Sequence, residues 1–528
     1  LAPLYLGDAM PPWREEFFYS HPTISHKHRI PTSQAVVRED MKYVYWPEWE
    51  HEQLFDLSQD PTEKHNLVEN TAYAEQLESY RARLDAWLKW ARAPEKSAER
   101  PFGPASTSST SSTGSSGSTG ITAEAASERP NVLFLLSDDQ AWGDYGFMGH
   151  PHIETPVIDR LADESLTYTR GYTPVPLCHP SLTSIVTGLH GHEHGITGND
   201  PLGPRSQRGK RYQPMLEDFQ KLPNMIRSLT SAGYRTLQTG KWWEGNPVEH
   251  GGFTHGMTHG DPQRGGRHGD KGLEISRKTL QPIKDFVRES GEQPWFIWYG
   301  VFLPHTPHNP PQDLLDKYLP VAPSPAVARY WANCEWLDRS IGEILEFLED
   351  TGELDNTLIV YTCDNGWIQD PARPQRFAER SKRTAYEGGV RTPIMLAWPD
   401  KIDPLMDRTH LASNLDLWPT IAQLTGSDYP QHLTGIDLTD RQAVTQRDTI
   451  YGASYQHDMQ DYGNPAASLK KRFVIQNFWK LLQPHQANQA PELYDLKADP
   501  RERQNLAGQQ PEVVNELTEK MNLWWTPE

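Results

Sequence analysis

The chain has 528 residues, a formal net charge of −19 and a mean hydropathy of −0.71. A chain of this length exceeds what one hydrophobic core can organise, so two or three domains are expected. The acidic balance argues against a nucleic-acid partner, because phosphate binding needs an excess of Lys and Arg. No run of about 18 apolar residues occurs, which argues against a transmembrane helix.

A stretch of Ser, Thr and Gly at residues 106–120 divides the chain into two parts of unequal length. It contains no large apolar residue and can bury almost nothing, so it predicts a flexible linker, with bounds at 98–126. The chain begins with Leu1 rather than Met. Residues 1–97 are either the tail of a preceding module or a permuted subdomain, and we expect the tail.

An internal repeat occurs on both sides of this linker. LFDLSQDPTEKHNL (54–67) matches LYDLKADPRERQNL (493–506) in its Leu, aromatic, Asp-Leu, Asp-Pro and Asn-Leu positions. Each copy follows a strand-like run and precedes a helical stretch. The pattern predicts a duplicated unit of strands, a turn and a terminal helix.

Strands and helices alternate between the two copies. Short apolar runs that end in polar residues are typical of buried parallel strands, and a helical pattern covers residues 325–350. The four runs are 131–137, 294–302, 357–363 and 392–398. The alternation predicts an α/β domain over 127–440, with a mostly parallel sheet and helices on both faces. A smaller antiparallel sheet-and-helix subdomain is expected over 441–528.

Two of these strands end in polar pairs, Asp138-Asp139 and Asp364-Asn365. In such a sheet, ligands collect at the carboxyl ends of the strands. Four oxygen-bearing side chains there could bind Ca²⁺ or Mg²⁺. Each pair alone could equally cap a helix or a turn.

The chain has three cysteines, and a small, odd number of cysteines does not predict a disulfide framework. Cys334 and Cys363 lie in apolar surroundings and are expected to fill cores. Cys178 precedes a short helix, where exposed N–H groups and the helix dipole favour negative charge. A cysteine at such a position can also be purely structural.

The segment around Cys178, CHPSLTSIVTG (178–188), resembles the signature of the sulfatases, in which Cys-x-Pro-Ser directs oxidation of the cysteine to formylglycine. Residues 1–97 resemble a second C-terminal subdomain of this family. Further segments that resemble family motifs are NVLFLLSDDQAWGDYGFMGH (131–150), GYRTLQTGKWW (233–243), FLPHTPHNPP (302–311), TCDNG (362–366), KRTAYEGGVRTPI (382–394) and NLDLWPTIAQLTG (414–426).

The resemblance implies an alkaline-phosphatase-like fold and a sulfuric ester hydrolase. It implies that Cys178, as formylglycine, is the nucleophile, and that Lys241 and Lys382 contact the sulfate. It places His305 near the bridging oxygen. It also implies a divalent cation, Ca²⁺ with Mg²⁺ as the alternative, bound by Asp138, Asp139, Asp364 and Asn365.

The sequence departs from the family at two positions that are usually cationic. Leu182 stands where the family has Arg, and Trp243 stands where a His usually follows Gly-Lys-Trp. Nearby histidines are candidates to replace the lost charge: His192, His194, His255 and His259. Of these we predict His194 as a substrate-binding residue, together with Trp243 and His308.

The expected substrate is a sulfated oligo- or polysaccharide, and the expected partner is a formylglycine-generating enzyme or an anaerobic maturase. The family places the protein in the periplasm or outside the cell. Two other functions stay open. One is a phosphodiesterase or phosphonate hydrolase of the same superfamily. The other is a pseudo-sulfatase that binds anionic polysaccharide, motivated by Leu182 and Trp243.

Overall fold

The structure is a computed structural model, and it forms two compact units, Leu1–Thr119 and Gly120–Glu528. The predicted linker at 98–126 lies outside the described residues. Among the described helices, none combines the length and the apolar character needed to cross a membrane. The residues that the structure describes are 16–21, 33–38, 41–47, 51–60, 62–92, 129–204, 208–260 and 271–527.

The first unit contains a four-stranded antiparallel sheet and one long helix. The helix buries Leu77, Tyr80 and Leu84, which recur at three- and four-residue spacing, against the strands. The strand order follows the chain. Its elements are β1 (Glu16–His21), β2 (Ser33–Arg38), β3 (Met41–Trp46), β4 (His51–Asp56), a 3-10 helix (Thr71–Tyr73) and α1 (Ala74–Arg92).

The second unit contains a nine-stranded sheet and a four-stranded sheet, with helices packed on both. Its strands are β5 (Asn131–Asp138), β6 (Leu166–Tyr172), β7 (Asp200–Pro201), β8 (Arg235–Gly240), β9 (His255–Gly256), β10 (Trp295–Pro304), β11 (Thr357–Cys363), β12 (Arg391–Ala397), β13 (Leu405–Asp407), β14 (Ala412–Ser413), β15 (Thr449–Tyr455), β16 (Asp458–Met459), β17 (Leu469–Gln476), β18 (Trp479–Pro484) and β19 (Glu492–Asp495).

Along the chain, most helices of this unit occur between strands of the larger sheet. They are α2 (Pro156–Asp163), α3 (Cys178–Thr187), α4 (Gly191–His194), α5 (Arg208–Phe219), α6 (Met225–Ser231), α7 (Gln281–Ser290), α8 (Gln312–Tyr318), α9 (Pro325–Asp350), α10 (Glu387–Val390), α11 (Leu417–Thr425), α12 (Arg441–Gln446) and α13 (Pro511–Trp524), with 3-10 helices at Leu354–Asn356, Asn414–Asp416 and Pro465–Ser468.

The larger sheet has nine strands in the order β13-β6-β12-β11-β5-β10-β8-β9, with β14 paired to β6. Strands β11, β5, β10 and β8 are parallel to one another, and β12 is antiparallel to both of its neighbours. Every residue of β5 is buried. Phe134 faces one hydrophobic core and Leu133 and Leu135 face another, so the sheet is covered on both faces.

The smaller sheet, β15-β17-β18-β19, is antiparallel, and α13 packs on it through Leu517 and Met521. The predicted fold class is thus confirmed: a mostly parallel sheet between helices, followed by an antiparallel sheet with a helix.

The two copies of the sequence repeat have the same architecture, and each contains a Lys–Glu ion pair at the equivalent position. Lys42 lies 2.8 Å from Glu63, and Lys480 lies 3.0 Å from Glu502. Both glutamates have positive φ, 55° and 54°. Lys480 also lies 2.9 Å from Glu387 of α10. In the second copy, the ion pair is therefore joined to the larger sheet's loops.

Candidate active site

The carboxyl ends of two adjacent parallel strands bring the acidic side chains together. β5 and β11 pair in register, with Ser137 opposite Cys363. Asp138 and Asp139 therefore meet Asp364, whose Oδ1 accepts a hydrogen bond from the Asp139 N–H at 3.1 Å. The Asn365 amide donates to Asp139 Oδ1 at 2.7 Å. All four side chains are buried.

Two lysines lie against these carboxylates. Lys241 follows β8, and its Nζ lies 2.5 Å from Asp138 Oδ1 and 2.7 Å from Asp364 Oδ2. Gly240 at the end of β8 has φ +71°, and a Cβ there would lie 1.8 Å from the carbonyl oxygen of Gly300. Only glycine fits this close approach, which directs Lys241 toward the carboxylates.

The second lysine, Lys382, connects the carboxylates to the cysteine. Its Nζ donates to Asp139 Oδ2 at 2.7 Å and to Cys178 Sγ at 3.1 Å. Cys178 is the first residue of α3, after the extended residue Leu177. The Ser181 hydroxyl donates to the backbone oxygen of Asp364 at 2.6 Å. The helix N-terminus is therefore held directly beside the strand ends.

Burial and charge set the protonation of this cluster. Burial raises the pKa of Asp138 to about 8, against the opposing effects of His305 and Lys241. Burial also acts to raise the pKa of Asp139, but Lys382, His305 and Lys241 hold it below its usual value. Burial would lower the pKa of Lys241, whereas Asp138 and Asp364 raise it well above its usual value. Both lysines are thus held as cations.

The cluster fits a hard divalent cation. Side-chain ligand atoms of Asp138, Asp139, Cys178 and Asp364 all lie within 4.8 Å of one another. Among the described residues, the buried atoms Asp138 Oδ2 and Asn365 Oδ1 have no hydrogen-bond partner. Oxygen ligands that converge in this way match the preference of Ca²⁺ and Mg²⁺.

A cavity of about 270 Å³ opens above this cluster. Cys178, Lys241 and Lys382 of the cluster line this cavity. We call the whole cluster the floor, which consists of these three residues and Asp138, Asp139, Asp364 and Asn365 packed against them. We call the surrounding lining residues the rim, which consists of Asn199, Trp243, Phe302, His305, Trp367, Gln375, Arg376, Phe377, Arg383 and His457. His305 Nε2 lies 3.6 Å from Asp139 Oδ2, so its imidazole faces the floor.

The two histidines that were predicted to bind substrate, His194 and His308, are not among the residues that line the cavity. His194 is buried, accepts the Ile196 N–H at Nδ1 and lies 3.0 Å from Ser184 Oγ at Nε2. His308 is buried beside the rings of Tyr330 and Trp367, at centroid distances of 5.4 and 5.8 Å. Burial lowers the pKa of His308 to about 4. Both are therefore neutral interior side chains.

The two positions that depart from the family pattern differ in their placement. Leu182 is buried in the hydrophobic core on one face of the large sheet. Trp243 lines the cavity and stacks on His179, with a centroid distance of 5.0 Å and an interplanar angle of 13°. Arg376 and Arg383 bring cationic groups to the rim, in place of the histidines that the sequence suggested. The rim also holds the imidazole of His457, whose pKa burial lowers.

A buried pair beside the cysteine also escaped the sequence analysis. His179 Nε2 lies 2.9 Å from Glu244 Oε1, which also accepts the Thr183 hydroxyl at 2.6 Å. The His179–Glu244 contact therefore links α3 to the segment that carries Trp243. The only sequence signal was adjacency, since His179 follows Cys178 and Glu244 follows Trp243.

Comparison with protein-family models assigns the chain to a family. The sulfatase model matches residues 130–427, which include every residue of the floor. The chain belongs to the sulfatase family. A second model, the C-terminal domain of N-sulphoglucosamine sulphohydrolase, matches both residues 1–89 and residues 377–524. It thus covers both copies of the repeat.

Relatives of this sulfatase include human N-acetylgalactosamine-6-sulfatase, which is 29% identical over 356 residues. That match covers 60% of this chain and 66% of the relative's length. The predicted enzyme class, sulfuric ester hydrolase, is that of the named relatives.

Solved structures share the fold. The crystal structure of Ps i-CgsB in complex with k-i-k-neocarrahexaose is 23% identical with a TM-score of 0.61, covering 75% of this chain and 93% of that one. The phosphonate monoester hydrolase of Agrobacterium radiobacter is 19% identical with a TM-score of 0.57, covering 74% of this chain and 94% of that one. The fold alone therefore accommodates both sulfate and phosphonate chemistry.

Proposed function

We propose that this sulfatase removes sulfate from a sulfated saccharide, using a nucleophile derived from Cys178. One observation carries the proposal: Cys178 Sγ lies 3.1 Å from the Lys382 ammonium, within the same cluster as three carboxylates. A nucleophile beside fixed cations is the arrangement that acyl-, phosphoryl- and sulfuryl-transfer sites need, because charge develops on the transferred group's oxygens.

The chain's own residues have distinct roles in this proposal. Lys241 and Lys382 bind sulfate oxygens, since both are cationic and both line the cavity. His305 on the rim donates a proton to the leaving alcohol, because its imidazole is part-exposed and near the floor. Its Nδ1 lies 2.7 Å from the Thr306 carbonyl oxygen, which leaves Nε2 facing the cavity side.

Two groups must be added to the translated chain for this function: a divalent cation and a formylglycine made from Cys178. Asp138, Asp139, Asp364 and Asn365 would hold the cation, Ca²⁺ or alternatively Mg²⁺. Together, the bound cation and formylglycine at position 178 would supply charge neutralisation and a hydrated aldehyde as the nucleophile. A formylglycine-generating enzyme or an anaerobic maturase is the partner that this requires. We propose a periplasmic or extracellular location, as is expected for enzymes acting on polysaccharides.

Aromatic rings support a saccharide as the substrate. Trp243, Phe302, Trp367 and Phe377 all line the cavity, and flat amphipathic rings suit the faces of sugars. The names of similar proteins agree with this class, since one relative acts on N-acetylgalactosamine 6-sulfate and one similar structure holds a neocarrahexaose.

Turnover of matched aryl esters tests the reaction type. The matured enzyme, coexpressed with a maturase and supplied with Ca²⁺, is given an aryl sulfate and an aryl phosphate diester with the same leaving group. We expect a higher kcat/KM for the sulfate, because a single lysine-lined floor fits one terminal tetrahedral group. Dominant diester cleavage would instead assign the chain to the phosphodiesterases of this fold.

A further inference from the structure

A second cavity adjoins the one that holds the floor. It has a volume of about 450 Å³ and is lined by Arg373, Arg376, Phe377, Ala378, Glu379 and Arg383. Three of these, Arg376, Phe377 and Arg383, also line the first cavity. The two cavities therefore adjoin, and two of the three residues that they share are arginines.

The segment that carries Arg376 is held in place by several contacts. Gln369 and Phe377 form an antiparallel bridge, and the Ala378 N–H donates to the Ile368 carbonyl at 2.7 Å. The Phe377 ring packs against the Trp367 ring at a centroid distance of 5.2 Å. Although Arg376 itself is exposed, its backbone is part of a braced hairpin beside the floor.

The second arginine, Arg383, is half-buried and follows Lys382 of the floor. Its N–H donates to the Pro176 carbonyl at 2.8 Å, just before Cys178, and its φ is +69°. The nearby Lys470 ammonium donates to the Arg383 carbonyl at 3.3 Å. Positive groups are therefore crowded at this end of the cavity.

The charges of these arginines are only partly balanced by the protein, because Glu379 lines the same cavity and Asp458 acts on Arg383 from beyond ion-pair distance. In the described part of the chain, no carboxylate lies within ion-pair distance of the Arg376 or the Arg383 guanidinium. Arg373 differs, because it pairs with Asp370 at 2.6 Å. A part-buried cation without a counter-ion is unfavourable, and burial lowers the pKa of Arg383 although Asp458 opposes this. A bound anion would relieve this cost.

We propose that the adjoining cavity binds a second anionic group of the substrate, held by Arg376 and Arg383. The substrate would then carry, besides the sulfate ester that is cleaved, another sulfate or a carboxylate on a neighbouring part of the saccharide. Planar guanidinium groups bind both kinds of anion with paired hydrogen bonds. The proposal rests on the proposed function, since it assigns the substrate class of the same site.

The test compares substrates that differ only in the second charge. Three disaccharides with the same cleavable sulfate are used: one without further charge, one with a second sulfate and one with a uronate carboxylate. We measure kcat/KM for the wild type, the Arg376→Gln/Arg383→Gln double variant and the matched control Arg408→Gln. Arg408 is exposed and is not among the residues lining either cavity.

We expect the wild type to prefer at least one of the doubly charged substrates. In the double variant, the ratio of kcat/KM between the doubly and the singly charged substrate should be about tenfold smaller. The change should appear mainly in KM, because two part-exposed charge pairs stabilise the bound ground state and the transition state alike. Added salt should weaken the preference in the wild type and not in the double variant. The control should retain it. The doubly charged substrate that responds identifies the second group as sulfate or carboxylate.

A binding measurement separates this inference from the proposed function. Calorimetry of the same three disaccharides with Cys178→Ala needs no turnover. We expect about tenfold weaker binding of the doubly charged substrate when the Arg376 and Arg383 changes are added. Equal preferences in the wild type and the double variant, with equal affinities on the Cys178→Ala background, would overturn the inference. Absence of sulfate release from all substrates, with the affinity difference present, would overturn only the proposed reaction.

Discussion

The floor and the rim of the cavity are built in different ways. The floor residues are at most 6% exposed and come from two strand ends, a helix start and two loops that lie against them. Each charged floor group contacts another floor group at 3.1 Å or less. Apart from Phe302 of β10, the rim comes from loops, and it includes exposed side chains such as Gln375 and Arg376. In the proposed function, the reaction takes place at the buried floor, whereas the partly exposed rim selects the substrate.

The rigidity of the floor depends on the smaller sheet. The Glu387 N–H donates to Glu502 Oε2 at 2.6 Å, and Lys480 is buried between these two glutamates. The Gly389 carbonyl then accepts the Gly366 N–H at 2.9 Å, directly after Asn365. The first copy of the repeat has the same ion pair, Lys42 with Glu63, but within its described residues no third partner. The two lysines therefore make a matched test.

Lys480→Met should have the largest effect on stability. It leaves buried Glu502 without an ion-pair partner among the described residues and Glu387 with only Arg391 at 3.6 Å, which costs about 3–5 kcal/mol. It should also reduce sulfate release, because the loop behind Asn365 loosens. Lys42→Met is the control and should cost about 1–2 kcal/mol, since Glu63 is part-exposed and can turn to water. Urea unfolding of the full chain, with hydrogen exchange to assign each unit, measures both. Equal losses would mean that the Glu387 contact is unimportant.

Lys382→Ala tests the floor itself. We expect kcat/KM for an aryl sulfate to fall about 10²–10³-fold, because one fixed charge at the reacting group is lost. His457→Gln is the rim counterpart and should change it by less than about tenfold, since burial lowers the pKa of His457 and no fixed charge is lost. Steady-state kinetics on the matured enzyme gives both values. Similar losses from the two variants would remove the distinction between floor and rim.

Buried histidines should make the enzyme less stable in acid. Burial lowers the pKa of His194 to about 3, so between that value and its ordinary 6.5 the unfolded chain binds more protons than the folded one. Stability should therefore fall as the pH drops below 6.5, by about 2 kcal/mol for this residue between pH 6.5 and 5. His194→Gln should show a shallower decline in melting temperature. An unchanged pH dependence would mean that other groups dominate it.

Much of the floor was predictable because regular structure determines it. Asp138 and Asp364 follow buried apolar runs, and parallel strands end on the same edge of a sheet. Cys178 precedes a helical pattern, so its place at a helix start was also readable. The rim was not, since Arg376 lies in a loop with no periodicity, and only folding brings it beside the floor. Arg383 directly follows Lys382 in sequence, but no pattern marked it as a rim residue. His194 is the reverse case, because it is close to the signature in sequence but is not among the residues that line the cavity.

The most direct test of the central claim concerns Cys178. The chain is expressed with and without a maturase, the Cys178 peptide is analysed by mass spectrometry, and sulfate release is measured on the same samples. We predict conversion of the thiol to an aldehyde only with the maturase, sulfate release in proportion to that conversion, and no release from a folded Cys178→Ala variant. A thiol that is never converted, or release that persists in Cys178→Ala, would contradict the account. The first result would favour a pseudo-sulfatase that only binds anionic polysaccharide.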